Sequence, residues 1–217
     1  MRNRSFVTVA AVIGLLASSA GAASGVPAIE PASLARAQAI RADVTARFRA
    51  LPGRGLAVTE ATSTGIVESF ALATSDLLDT RFLPADNGVW YAICPVGATC
   101  PFPAPRVARP AAELLPRRLA LELALRTFVE TSADVVAVGL PSTRFVAFIV
   151  EREELADEVD IRALADALRG DPARGLSSSL AQVVDRVTRP RVFVALGLWP
   201  APGGGDAWVG APRWPTG

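Results

Sequence analysis

Three runs in this chain, "DVVAVGL" over 134–140, "RFVAFIVE" over 144–151 and "RVFVALGL" over 191–198, are apolar at odd and even positions alike. No other feature limits the fold as strongly. A strand with one wet face alternates with a period of two, whereas a strand covered on both faces does not. The three runs therefore belong in the middle of a sheet, or lay one face on a partner chain. In a chain of 217 residues, 51% hydrophobic, there is enough apolar material to cover both faces.

The cover is helical. Over 31–51, Ala37, Ile40, Val44, Phe48 and Leu51 share one side and Arg36, Asp43 and Arg47 the other, and Pro52-Gly53 ends the pattern. Over 116–130 the stripe is Leu121, Leu125, Phe128 and Val129, with Pro116 suited to a first turn. Arg118, Glu122, Arg126 and Glu130 recur every four residues there, and this reads as a solvated ladder of opposite charges. Two more helices are expected, over 160–169 with Asp160 as N-cap, and over 176–187, where Ser177-Ser178-Ser179 reads as a helix start. Partial alternation over 55–61 and 65–74 predicts a hairpin. The segments 81–83 and 89–94 predict a second strand pair joined through the turn at Asn87-Gly88. Strands and helices in this order predict an α+β domain with a mainly antiparallel sheet over 31–199. The remainder, 200–217, is rich in Gly and Pro and reads as a flexible tail, in which Trp208 and Trp214 are out of character.

The first 22 residues have the form of a secretory signal peptide. Arg2 and Arg4 precede an apolar run over 6–17, and Ala20-Gly21-Ala22 offers a small-residue cleavage pattern. The alternative is an uncut N-terminal membrane anchor. Export bears on the cysteines, of which there are two, Cys94 and Cys100. With no histidine in the chain and no second cysteine pair, zinc would need two recruited carboxylates. The spacing fits neither a haem attachment nor a two-residue redox motif. A disulfide is the expected state outside the cytosol. Closing so short a loop stabilises by about 2–2.5 kcal/mol on the chain-entropy model. Pro95, Pro101, Pro103 and Pro105 stiffen the loop further.

What the chain lacks narrows its chemistry. All 22 basic residues are arginine. Without histidine there is no Ser-His or Cys-His catalysis, and without lysine no Schiff base or P-loop lysine. A net charge of +1 gives no field to attract nucleic acid. No metal site and no cofactor are expected. Carboxylate chemistry survives: Glu60 and Glu68 flank the expected hairpin turn, and two acids about 5–9 Å apart would suit glycoside hydrolysis. The favoured reading is instead a secreted or envelope-associated binding domain that does no chemistry. Its contact surface would be Trp90, Tyr91, Phe102, Arg106 and Arg109 on and beside the stapled loop, since stiff loops lose little entropy on docking. The partners expected are a peptide, a glycan or an envelope protein, with a second copy of the chain as a further candidate. A carboxylate-dependent hydrolase and a membrane-tethered accessory subunit are the alternatives.

Overall fold

The computed structural model describes residues 29–65, 67–73, 80–97, 111–142, 145–201 and 205–213, with the side chains of 111–113 outside that set. Helix α1 (Pro31–Arg49) leads into β1 (Leu56–Ser63), β2 (Ser69–Ala73), β3 (Thr80–Pro84) and β4 (Gly88–Pro95). Then come α2 (Ala111–Glu130), β5 (Val135–Leu140) and β6 (Val146–Glu151). Three helices follow, α3 (Arg152–Glu158), α4 (Ile161–Leu168) and α5 (Ser178–Thr188), before β7 (Val192–Pro200) and β8 (Asp206–Pro212).

The eight strands make one sheet in the order β1-β4-β5-β6-β7-β8-β2-β3. Its neighbours are parallel at β4–β5 and β2–β8 and antiparallel elsewhere. The order itself forbids a flat sheet. Strands β1 and β2 stand six places apart, about 29 Å at the usual ~4.8 Å strand spacing. The chain from Ser63 to Ser69 reaches at most about 20 Å when fully extended. The same holds for β3 and β4, joined from Pro84 to Gly88. The sheet therefore curls until its ends meet. Thr64 N–H donates to the Gly88 carbonyl at 3.1 Å, Ala85 N–H donates to Glu68 at 3.0 Å, and the Thr64 hydroxyl donates to the Ala85 carbonyl.

Curling makes two apolar layers. Outside, α1, α2, α4 and α5 pack on Val89, Tyr91 and Ile93 of β4, Val136 and Val138 of β5, and Phe148 and Val150 of β6. Inside the curl, Val135, Ala137, Ala147 and Ile149 from the opposite face of β5 and β6 meet Phe70, Leu72, Leu83, Phe193 and Trp208. Strands β5, β6 and β7 take the third, fourth and fifth of the eight places in the sheet, and β5 is buried at every position. This is the physical meaning of runs that do not alternate. The domain is α+β with a mostly antiparallel sheet.

Several expectations are corrected. The segments around β1 and β2 do not form a hairpin, and β3 and β4 are joined by a turn without pairing. Strand β7 is buried only over its first residues; Leu196, at the bulge between Ala195 and Gly197, and Leu198 and Trp199 beyond it are exposed. Asp206–Pro212, read from sequence as part of a flexible tail, is strand β8, held between β7 and β2. The five residues before it, Ala201-Pro202-Gly203-Gly204-Gly205, rather than the strand itself, carry the tail-like composition. Helix α2 begins at Ala111, so Pro116 lies inside it, where its missing N–H removes one backbone bond. Residues 1–22, Cys100 and Trp214 lie outside the described residues, and no helix among the described residues is long and apolar enough to cross a membrane.

Candidate functional site

The charge ladder of α2 is not solvated. Glu122 is fully buried, and Arg118 and Arg126 are buried with it. Helix α1 covers that face and answers it charge for charge. Arg36 pairs with Glu130 at 2.5 Å, Asp43 with Arg126, and Arg47 with Glu122. The helices run antiparallel, so these pairs form consecutive rungs of a zipper. Arg169, just beyond α4, adds a bond to Glu130 at 3.2 Å and offers its carbonyl to Arg47. The environment splits the two carboxylates of the zipper. A hydrogen bond from Arg126 holds the Asp43 carboxyl below its ordinary range. Burial pushes the Glu122 carboxyl up, against the pull of Arg47.

The zipper runs out at Arg118. One turn beyond Arg47, α1 has ended and the chain offers Leu51, which is apolar and buried. Arg118 is only 3% exposed, yet no carboxylate lies within ion-pair distance of it among the described residues. Its guanidinium donates to the Gly170 carbonyl at 3.2 Å and to the Pro172 carbonyl at 3.5 Å, and it lies 5.7 Å from the centre of the Phe48 ring. Its Nε is buried without a partner. Burial pulls its pKa below the usual guanidinium range, the sign expected of a desolvated cation that is under-compensated.

Beside this arginine is a cavity of about 300 Å³. Its wall is Arg118 from α2, Ala167 from α4, the turn 170–175 with Asp171 and Arg174, and Leu176, Ser177 and Leu180 at the start of α5. The sequence builds this corner locally. Asp171 accepts from Ala173 N–H at 2.9 Å and so opens a short 3-10 turn, which ends at Gly175. Gly175 has φ of 71°, which a side chain would strain. Ser177 then caps α5 by accepting from Leu180 N–H at 3.3 Å. The start of α5 and two guanidinium groups thus border one opening, whose wall also carries the Asp171 carboxylate and the aliphatic side chains of Ala167, Leu176 and Leu180.

The residues expected from sequence to act fall elsewhere. Trp90 is half-buried inside the curl and stacks on Phe145 with ring centres 5.8 Å apart. Tyr91 faces the opposite layer, fully buried, and donates its hydroxyl to Thr127 Oγ1 at 2.8 Å, because Thr127 itself donates to Leu123. It offers no surface to a partner. Phe102, Arg106 and Arg109 lie outside the described residues. Cys94 is buried on β4; Cys100 lies outside the described residues, and no described cysteine is free. Glu60 stands exposed on β1 opposite Ala92, whereas Glu68 lies next to β2 and packs on Gly205. The antiparallel pairing that was to bring these carboxylates together does not exist, and neither lines the cavity described above. Arg118, Arg174 and Ser177 were not singled out as a site. The signal was nonetheless present: Arg36, Asp43 and Arg47 complement Glu130, Arg126 and Glu122, leaving one arginine over.

No protein-family model, curated protein or solved structure matches this chain.

Proposed function

We propose that this protein is an exported, non-catalytic binding domain whose ligand is a small molecule seated in the cavity between α2, α4 and α5. One observation carries the reading: a cavity of about 300 Å³ walled by a buried arginine with no carboxylate within ion-pair distance among the described residues. A volume of that order lies at the lower end of the range for small-ligand pockets, and such pockets combine apolar walls with a few placed polar groups. Leu176, Leu180 and Ala167 supply the former, Arg118, Arg174 and Ser177 the latter. Export rests on the N-terminal pattern of Arg2, Arg4 and the apolar run that follows, and the Cys94–Cys100 disulfide is part of the same reading. In this proposal the segment that follows Cys94 in sequence is the candidate contact for a peptide, a glycan or an envelope protein.

The test is a fragment screen by amide-detected NMR on the exported form. Saturable shifts confined to the amides of 167–180 support the reading. Shifts that cluster elsewhere, or fragments that leave 167–180 unmoved, overturn it.

A further inference from the structure

The geometry points to an oxyanion as the group this cavity takes: the carboxylate or phosphate of a small molecule, completing the fourth rung of the α1–α2 charge zipper. The inference rests on the binding-domain reading and names the chemistry of its ligand. Three of the four charges of the α2 ladder find an opposite charge on α1; Arg118 alone does not. A buried guanidinium carries five N–H donors in a planar fork suited to two oxygens of one anion. Here two carbonyls take part of that capacity, at 3.2 and 3.5 Å, and Nε is left without a partner.

Arg174 is exposed at the rim and adds a second positive charge, and Ser177 and Leu180 place the positive end of the dipole of α5, an eleven-residue helix, beside the opening. One acid, Asp171, also borders the cavity and opposes this polarity; one of its two oxygens accepts from Ala173 N–H at 2.9 Å. Glu122 is nearby on α2 and is held by Arg47. The apolar wall of Leu176, Leu180 and Ala167 fits a short hydrocarbon portion attached to the anion.

Titrate the exported protein, followed by amide NMR and calorimetry, with inorganic phosphate, acetate, hexanoate and the neutral isostere hexanamide. Expected are saturable shifts at 170–180 with the oxyanions. Hexanoate should bind at least about tenfold tighter than hexanamide, the scale of a hydrogen bond to a charged group. Phosphate outbinding acetate assigns the anion as phosphate; the reverse assigns a carboxylate. Arg118→Gln should abolish the preference for acid over amide. Should that variant fail to fold, Arg174→Gln at the exposed rim should weaken oxyanion binding while leaving hexanamide unchanged. Equal binding of hexanoate and hexanamide overturns the anion assignment and leaves the pocket standing. No saturable response to any oxyanion also overturns it, and the fragment screen then decides the pocket by itself.

Discussion

Replacing Trp208 by alanine separates a strand from a tail. The indole is 8% exposed inside the curl, with ring centres 6.1 Å from both Phe70 and Phe145. A buried Trp→Ala change costs about 3–5 kcal/mol, from lost transfer energy and the cavity left behind. The small residual exposure trims little from this, and β2, pinned in the parallel pair with β8, cannot collapse freely into the gap. About 3–5 kcal/mol is therefore expected, and at roughly 2–4 °C per kcal/mol for a domain of this size Tm should fall by about 6–20 °C. Urea unfolding followed by far-UV circular dichroism measures this without relying on the removed fluorophore. Trp199, nine residues earlier in the same hairpin and 59% exposed, is the internal control. Trp199→Ala should stay within about 0.5 kcal/mol, as surface substitutions do. If Trp208→Ala also stays within that range, β8 is not part of the core and the curled sheet loses the anchor of its sixth strand.

The two carboxylates of the zipper should show opposite pH slopes. Because burial raises the folded-state pKa of Glu122, its contribution is fullest at acid pH and is lost as pH rises through that raised value. The unfolding free energy of the native chain minus that of Glu122→Gln should thus fall from acid to neutral pH. For Asp43, lowered by Arg126, the contribution is lost as pH falls, so the difference from Asp43→Asn should rise across the same range. Denaturant titrations at several pH values read both slopes, and two slopes of one sign contradict the assignment. Tyr91→Phe removes a donor to Thr127 Oγ1, which keeps its own bond to Leu123, and a longer contact to the Ala37 carbonyl at 3.4 Å, so a loss of about 0.5–1.5 kcal/mol is expected. A loss well beyond 3 kcal/mol in the same assay would mean the hydroxyl holds more than this pair.

Helix α2 shows how far local pattern carries. Arg118, Glu122, Arg126 and Glu130 at four-residue spacing look the same whether water or another helix lies against them. The charges of α1 that cover them, Arg36, Asp43 and Arg47, look like a second wet face for the same reason. The helical period of each segment is legible in the sequence, although α2 begins at Ala111 rather than at Pro116; the period does not tell whether a charged stripe faces solvent. Arg152 was invisible in a comparable way: it closes the C-terminal end of α2 by donating to the Thr131 carbonyl at 2.9 Å and to Phe128 and Ala133, a role set by β6 lying alongside.

What the chain determined locally is the type and position of most elements, because periodicity, caps and turn residues act over a few positions. Asp160 and Ser177 cap α4 and α5 as their side chains dictate, and the unalternating runs of β5 and β6 require cover on both faces. What only the tertiary structure decided is which strands are neighbours, that β8 enters the sheet, and that one arginine of a buried ladder is left facing a cavity. Those outcomes depend on contacts between segments far apart in the chain, where pairing, curl and desolvation are set jointly and no single stretch of residues encodes them.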